Sequence, residues 1–299
     1  MRLDSLLVRA TRQLQDAGSP SPRRDAEVLL CHVLNVDRAW LYTWGDRQAD
    51  GAAQARFEAL IQARAEGQPV AYLTGEREFW GLALATSPAT LIPRPDTETL
   101  VETALEKAGG KRGKPGRLLD LGTGTGAIAL AFASERPDWR VIGVDLSEDA
   151  VALARSNAER HAIGNAEFLL SDWFSVLESS PQAERFALIV SNPPYLADDD
   201  PHLGEGDVRF EPRGALIAGA DGLADLRFLI QAAREYLADD GWLLLEHGMQ
   251  QGAAIRQALV DAGFVDVASR CDLGARERIS LGRWAGHTLP FNTTLPRET

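Results

Sequence analysis

Cysteine is nearly missing from this chain. Cys31 and Cys271 lie far apart and match no metal-ligand spacing, so a disulfide framework is excluded and a reducing cytoplasm is the expected setting. Long apolar runs are missing too. No stretch approaches the roughly 18 residues that a membrane-spanning helix needs. Met1-Arg2-Leu3-Asp4 leads straight into a helical pattern, without the apolar core of a secretion signal, and no membrane partner is expected. Positive charge is in deficit, with 31 Lys and Arg against 43 Asp and Glu, a net charge of -12 and a pI of about 4.9. Such a surface has no general attraction for phosphate backbones. No basic cluster or DNA-reading motif offsets it, so direct contact with nucleic acid is not expected. His32, His161, His202, His247 and His287 share no ligand spacing and read as structural or solvated, so no metal is expected.

What is present is an ordinary globular composition, 45% hydrophobic and 25% charged over 299 residues. That suffices for one large domain and a small one. The chain opens with helical periodicity. Leu3, Leu6, Leu7, Ala10, Leu14 and Ala17 recur at spacings of three and four, until Gly18 and Pro20 stop the helix. Ser21-Pro22 reads as an N-cap and a first-turn proline. Ala26, Leu29, Leu30 and Val33 mark a second helix, Trp40 and Leu41 a short third, and Phe57, Leu60 and Ile61 a fourth that ends at Gly67. Residues 1–75 are expected to form a helical substrate-recognition bundle. The period then changes: Phe79-Trp80-Gly81-Leu82 suggests two short strands around a glycine, a hairpin linker over 76–92. Asp96, after Pro93 and Pro95, is expected to cap a helix holding Leu100, Val101 and Leu105, and 109–116 is a Gly/Lys/Arg loop.

Strands and helices then alternate. Strands are expected at 117–121, 140–144, 166–170, 186–191, 241–246, 265–271 and 278–283, with helical patterns separating the first six. Alternation of this kind implies parallel pairing in a doubly wound sheet. The connection at 272–277 is too short for a helical crossover, so the last two strands should pair antiparallel. The layout is α/β and Rossmann-like: a seven-stranded sheet with a late antiparallel hairpin, as in class I methyltransferases, over 93–285. Residues 286–299 form a tail without clear pattern.

The first of these strands runs into Asp120-Leu121-Gly122-Thr123-Gly124-Thr125-Gly126-Ala127. Glycines let a backbone approach a ligand closely, and a helix N-terminus offers N–H groups. Gly122, Gly124 and Ala127 also fit the dinucleotide pattern, and Asp145, at the end of the second strand, suits a ribose in either case. Two features favour S-adenosylmethionine. Asp120 is placed to meet the ammonium of an amino-acid moiety, which NAD lacks. Asp172-Trp173, after the third strand, provides an acceptor and an aromatic face for adenine. The glycine turn 122–126, Asp145 and Trp173 are thus where a cofactor is expected.

The buried-looking run Phe186-Ala187-Leu188-Ile189-Val190-Ser191 ends in Asn192-Pro193-Pro194-Tyr195. Strand ends at this edge of a doubly wound sheet are where ligands bind. An NH2 on a conjugated carbon has a delocalised lone pair and attacks a methyl poorly until both hydrogens are engaged. The Asn192 side-chain oxygen can accept one and the Pro193 carbonyl the other. The prolines fix φ and do not donate, and Tyr195 can stack on a flat amide. The catalytic set is Asn192, Pro193, Pro194 and Tyr195, and the chemistry is methylation of a planar NH2.

With these residues in view, the chain resembles the HemK-type family, the peptide chain release factor glutamine methyltransferases. Adenine and cytosine amino-methyltransferases share the glycine loop and the N-P-P-Y. The narrower resemblance is carried by Leu91-Ile92-Pro93-Arg94-Pro95-Asp96-Thr97-Glu98, by Pro69-Val70-Ala71-Tyr72 with Phe79-Trp80-Gly81, by Arg209-Phe210-Glu211-Pro212 and by Gly241-Trp242-Leu243-Leu244-Leu245-Glu246-His247-Gly248. Asp96 departs from the glutamate common in the family, and the end after Trp284 is unfamiliar. The resemblance implies cofactor contacts at Gly122, Thr123, Gly124, Thr125, Gly126, Asp145, Trp173 and Asn192, and methyl transfer to the glutamine of a Gly-Gly-Gln loop in release factors; the alternative is an amino-methyltransferase acting on adenine or cytosine of a nucleic acid. Asp198-Asp199-Asp200 reads as a solvated loop, 196–222 as one wall of the substrate slot, and Glu211 as either a loop support or a capping or surface residue.

Overall fold

A computed structural model describes residues 1–109, 114–178 and 185–286. Residues 110–113 of the Gly/Lys/Arg loop, and 287–299 of the tail with His287, lie outside the described residues. The chain forms two compact units. One holds Met1–Arg77, Ala85–Pro88 and Pro201–Pro212. The other holds Glu78–Leu84, the described part of Ala89–Asp200, and the described residues from Arg213 onward.

The first unit contains α1 (Leu3–Asp16), α2 (Pro22–Leu34), α3 (Arg38–Thr43), α4 (Gly51–Ala65) and α5 (Val70–Thr74). The i, i+3, i+4 residues of α1, namely Leu3, Leu6, Leu7, Ala10 and Leu14, are buried with Ala26, Leu29, Leu30, Leu41, Phe57 and Ile61. Asp37 and Asp50 cap α3 and α4 by accepting from the N–H of Trp40 at 2.6 Å and of Ala53 at 2.7 Å. Ser21 does precede α2, with Pro22 in the first turn, but it caps no backbone N–H. Its hydroxyl donates instead to Asp25 at 2.7 Å, and Ser19 donates to the same carboxylate at 2.9 Å. A charged carboxylate is a strong acceptor, and this one also accepts from Arg64 Nε at 2.8 Å. Arg64 Nη1 also donates to Asp207 at 2.7 Å, and Arg209 donates to the Glu66 carbonyl. Residues 201–212, which lie inside 93–285 in sequence, thereby join the helices. The short α5 carries no period long enough to be seen in the sequence.

A two-stranded hairpin follows, β1 (Glu76–Phe79) and β2 (Leu82–Ala85), around Trp80 and Gly81. In the second unit β3 (Arg117–Leu121), β4 (Arg140–Asp145), β5 (Ala166–Leu170), β6 (Phe186–Ser191), β7 (Leu237–Glu246), β8 (Phe264–Cys271) and β9 (Glu277–Trp284) form one sheet in the order β5-β4-β3-β6-β7-β9-β8. The first five of these strands pair in parallel. β9 runs antiparallel to both neighbours, β7 and β8.

Strand residues alternate between two cores. Leu118, Val141, Leu188, Val190 and Leu244 pack with α6 (Glu98–Lys107), α7 (Ala127–Glu135) and α8 (Glu148–Arg160). Leu119, Ile142, Ile189, Leu243 and Leu245 pack with α10 (Ala224–Tyr236) and α11 (Gly252–Asp261); a short α9 spans Ser175–Glu178. Helices on both faces define the doubly wound fold. Asp96 does not cap α6. It lies within a 3-10 turn, Pro95–Thr97, and pairs with Arg278 at 3.2 Å, because an arginine of β9 is a better partner for its carboxylate than the neutral N–H groups of the next turn. Among the described residues no helix is long and apolar enough to cross a membrane.

Candidate active site

The strand order reverses at β3 and β6. From β3 the chain winds outward through β4 and β5, and it returns to the other side of β3 as β6. Such a reversal opens a crevice at the carboxyl ends of the strands. Leu121 and Ser191, the last residues of β3 and β6, are in register. The glycine loop and the Asn192-Pro193-Pro194-Tyr195 segment therefore leave the sheet side by side.

Gly122, Gly124 and Gly126 have φ of 72°, 55° and 82°, the left-handed region that side chains disfavour. Four backbone N–H groups of this loop, those of Gly122, Thr123, Gly124 and Gly126, are taken up within the protein. Gly122 and Thr123 both donate to the Val144 carbonyl at 2.9 Å, Gly126 donates to the Thr123 carbonyl at 2.8 Å, and Gly124 donates to Asp145 Oδ2 at 2.9 Å. A pyrophosphate site needs such donors pointing outward. A loop that commits them internally supplies shape and closeness instead, which suits a cofactor without phosphate. Thr123 is likewise directed inward: its hydroxyl donates to Asp120 Oδ2 at 2.7 Å. Asn157, fully buried, donates to the Thr125 carbonyl at 2.9 Å and holds the loop from α8.

Asp120 is wholly buried, and its Oδ1 has no hydrogen-bond partner among the described residues. Burial pushes its carboxyl up to about 7, against the lowering effect of the Thr123 bond, and Asp145 adds repulsion. An acceptor in this state favours a cation beside it, as the ammonium of S-adenosylmethionine would be. Asp145 is held rigidly, with Oδ2 on Gly124 N–H and Oδ1 on Ser147 N–H at 3.0 Å. Each oxygen keeps a lone pair for a ribose hydroxyl. Trp173 is half-buried with a φ of 47°, unusual for a bulky residue. Ser171 fixes it by donating to its carbonyl at 2.8 Å. A Cβ on Gly122 would lie 3.6 Å from the Trp173 ring, so ring and loop border one space. Asp172, by contrast, is exposed.

Asn192 Nδ2 donates to Thr97 Oγ1 at 3.3 Å, while its Oδ1 is buried without a hydrogen-bond partner among the described residues. The acceptor required by the chemistry is thus present and uncommitted. Pro193 is buried and Pro194 half-buried. Tyr195 is clamped through its backbone: its N–H donates to the Leu216 carbonyl at 3.2 Å, and its carbonyl accepts from Gln251 Nε2 at 3.0 Å. Gln251 also donates to the Gly222 carbonyl at 3.2 Å. A Cβ on Gly222 would sit 2.4 Å from the Tyr195 oxygen, so only glycine fits there. Burial raises the Tyr195 phenol to about 12, with Glu246 adding repulsion, so it stays neutral.

Sequence reasoning quoted Thr97 and Glu246 inside longer motifs but gave neither a role. Both are buried, and Thr97 accepts from Asn192. Gln251 carried no signal. Glu211 is buried, which removes the surface reading, and Asp198 and Asp199 are exposed. His161 and His247 bond to backbone carbonyls, His247 also to Ser280.

Residues 5–75 match the family described as PrmC N-terminal domain, and residues 113–262 match a methyltransferase domain family. A release factor glutamine methyltransferase from Vibrio cholerae is 52% identical over 94% of this chain and 96% of its own length. The enzyme of the same description from Escherichia coli is 52% identical over 95% and 99%. Among solved structures, the hMettl16 catalytic domain in complex with an RNA hairpin from the MAT2A 3'UTR aligns with a TM-score of 0.56 at 14% identity. That alignment covers 81% of this chain and 83% of that one, a likeness of fold alone. With the methyltransferase fold and 52% identity over nearly the full length in agreement, the chain belongs to the release factor glutamine methyltransferase family, whose methyl donor is S-adenosylmethionine.

Proposed function

We propose that this protein transfers a methyl group from S-adenosylmethionine to the side-chain amide nitrogen of the glutamine in the Gly-Gly-Gln loop of peptide chain release factors. The observation that carries this reading is the buried, uncommitted Oδ1 of Asn192 beside the glycine loop. The description of the relatives, release factor glutamine methyltransferase, names the substrate.

The cofactor supplies an electrophilic methyl on a sulfonium. The glycine loop would shape its site, Asp120 Oδ1 would meet its ammonium, Asp145 would accept from its ribose hydroxyls, and Trp173 would border its adenine. Asn192 Oδ1 accepts one hydrogen of the substrate NH2 and the Pro193 carbonyl the other, turning the nitrogen lone pair toward the methyl. The N–C bond forms as the S–C bond breaks. The nitrogen then loses one proton, acidic once the methyl is attached, so no strong base is required. Tyr195, neutral across the working range, stacks on the flat amide. The helical unit, with 201–212, recognises the protein substrate. A release factor substrate and two free cysteines both suit a cytoplasmic enzyme.

Labelled cofactor, incubated separately with a release factor, with the same factor carrying alanine for the target glutamine, and with duplex DNA, tests this. Label is expected on the intact factor alone. Label persisting on the alanine variant, or appearing on DNA at a comparable rate, overturns it.

A further inference from the structure

Gln251 is the last residue before α11, and its main chain is anchored there. Its N–H donates to the Gly248 carbonyl at 2.9 Å, and its carbonyl accepts from the N–H of Ile255 at 3.1 Å. The side chain does not cap the helix. It reaches away to three backbone groups. Nε2 donates to the Tyr195 carbonyl at 3.0 Å and to the Gly222 carbonyl at 3.2 Å, and Oε1 accepts from the Gly248 N–H at 2.9 Å. Tyr195 lies beyond β6, Gly222 before α10 and Gly248 beyond β7. One amide thus ties together three stretches of chain that meet at the C-terminal edge of the sheet.

We propose that Gln251 is a positioning residue for methyl transfer, which holds the main chain of Asn192-Pro193-Pro194-Tyr195 in place for the acceptor amide. The inference rests on the reading that this segment engages the substrate. The segment has little means of holding itself. Pro193 and Pro194 have no N–H, so neither can tie the chain to a neighbour by donating. The first backbone donor after them is the Tyr195 N–H, and its 3.2 Å bond to the Leu216 carbonyl is long. Further on the chain is well tied, with the Leu196 N–H on the Leu216 carbonyl at 2.9 Å and the Ala218 N–H on the Leu196 carbonyl at 3.0 Å. The Tyr195 carbonyl marks the torsion that joins the prolines to this tied stretch. Fixing it fixes the angle at which the Pro193 carbonyl and the Tyr195 ring are presented.

The residue type follows from the partners. Two carbonyls demand donors and one N–H demands an acceptor, so a primary amide is required and its orientation is set. Glutamate, when ionised, would set a carboxylate against two carbonyls, and asparagine is one methylene too short. The glycines around it fit the same contact. A Cβ on Gly222 would lie 2.4 Å from the Tyr195 oxygen and 3.0 Å from Gln251 Nε2. A Cβ on Gly248 would lie 3.7 Å from the Tyr195 ring, so the backbone that Oε1 holds also backs that ring. A shift on the order of 1 Å in a positioning group can cost about 10²-fold in rate.

The experiment uses the full-length enzyme with S-adenosylmethionine and an intact release factor. It measures melting temperature, cofactor-binding sites by titration, kcat per cofactor-binding site and cofactor KM for Gln251→Met, Gln251→Glu and Asn192→Ala. Gln251→Met keeps the shape and loses all three bonds; its kcat per site is expected to fall about 10- to 100-fold with cofactor KM within about 3-fold. Gln251→Glu keeps the Gly248 bond alone. It is expected to be no better than Gln251→Met at pH 8, and to gain on the parent toward pH 6, where a protonated carboxyl regains one donor for Tyr195. A purely structural role would lower melting temperature or the number of binding sites and leave kcat per site at the parental value. That result, or Gln251→Glu as active as the parent at pH 8, would overturn the proposal. If Gln251→Met does not fold, Gln251→Glu decides. Asn192→Ala separates the two readings. If it is as active as the parent, the reading of the site falls and the inference with it; if it is dead while Gln251→Met has parental kcat per site, the inference alone falls.

Discussion

The Ser191 hydroxyl donates a 2.7 Å hydrogen bond to the Leu121 carbonyl, joining the last residue of β6 to the last residue of β3. Both residues are fully buried. Beyond this bond the two strands part, one into the glycine loop and the other into Asn192. The bond therefore fixes the mouth of the crevice where cofactor and acceptor nitrogen must meet, and near-attack placement of that kind is worth more to a transfer reaction than any single contact.

Asn192→Ala should lower kcat about 10²- to 10³-fold, the scale seen when one preorganised hydrogen bond to a reacting group is lost. Cofactor affinity should change little, because the glycine loop and Asp145 are untouched. Single-turnover rates and cofactor titration check this; near-normal turnover would remove Asn192 from the reaction.

Asp145→Ala should act on binding first. Hydrogen bonds to ribose hydroxyls are equal in ground and transition states, so their loss appears in the cofactor KM more than in kcat. The variant also strands the N–H groups of Gly124 and Ser147, which Asp145 now satisfies. A normal cofactor KM with a collapsed kcat would move Asp145 to another role.

Asp120→Asn should trade binding for stability in a pH-dependent way. Burial raises the Asp120 carboxyl in the folded protein to about 7, above its value of about 4 in the unfolded chain. A raised carboxyl contributes full stability below the unfolded value and loses it as pH rises through the folded one. The variant, with nothing to ionise, should thus match the parent below about pH 4 and be more stable above about pH 7 in the absence of cofactor. Its affinity for S-adenosylmethionine should fall. Thermal melts at several pH values decide; a variant less stable than the parent at pH 8 would show that Asp120 is compensated by a partner.

Arg64 holds Asp25 and Asp207 together inside the helical unit. Arg64→Met should leave the buried Asp25 carboxylate uncompensated, at a cost of about 3–5 kcal/mol, and release 201–212 from α4. Cofactor binding should survive while the KM for the release factor rises. Deleting 1–75 removes Arg64 altogether, so that fragment should bind cofactor yet methylate intact release factor poorly. Full activity of the fragment on intact release factor would reduce the helical unit to a folding aid.

What the sequence determined by itself was local. Period-three-and-four residues from Leu3 to Leu14 specified a helix, alternation across Leu118 and Leu119 specified a strand buried on both faces, and Gly122-Thr123-Gly124 and Asn192-Pro193-Pro194-Tyr195 carried chemistry in their residue types. These features depend on neighbours within a turn or a strand, so the chain order alone encodes them. The tertiary structure decided what depends on partners distant in sequence. It placed β9 between β7 and β8. It drew 201–212 to the helices through Arg64. It turned Ser21 from a cap to Asp25, because a carboxylate is a strong acceptor for its hydroxyl, and Asp96 from a cap to Arg278, because a guanidinium is a stronger donor than a neutral backbone N–H. It also closed the N–H groups of Gly122, Thr123 and Gly124 onto Val144 and Asp145, and set Thr97 beside Asn192. The direction of an amide is a property of the hydrogen bonds around it, and those bonds come from residues 95 positions apart in the chain.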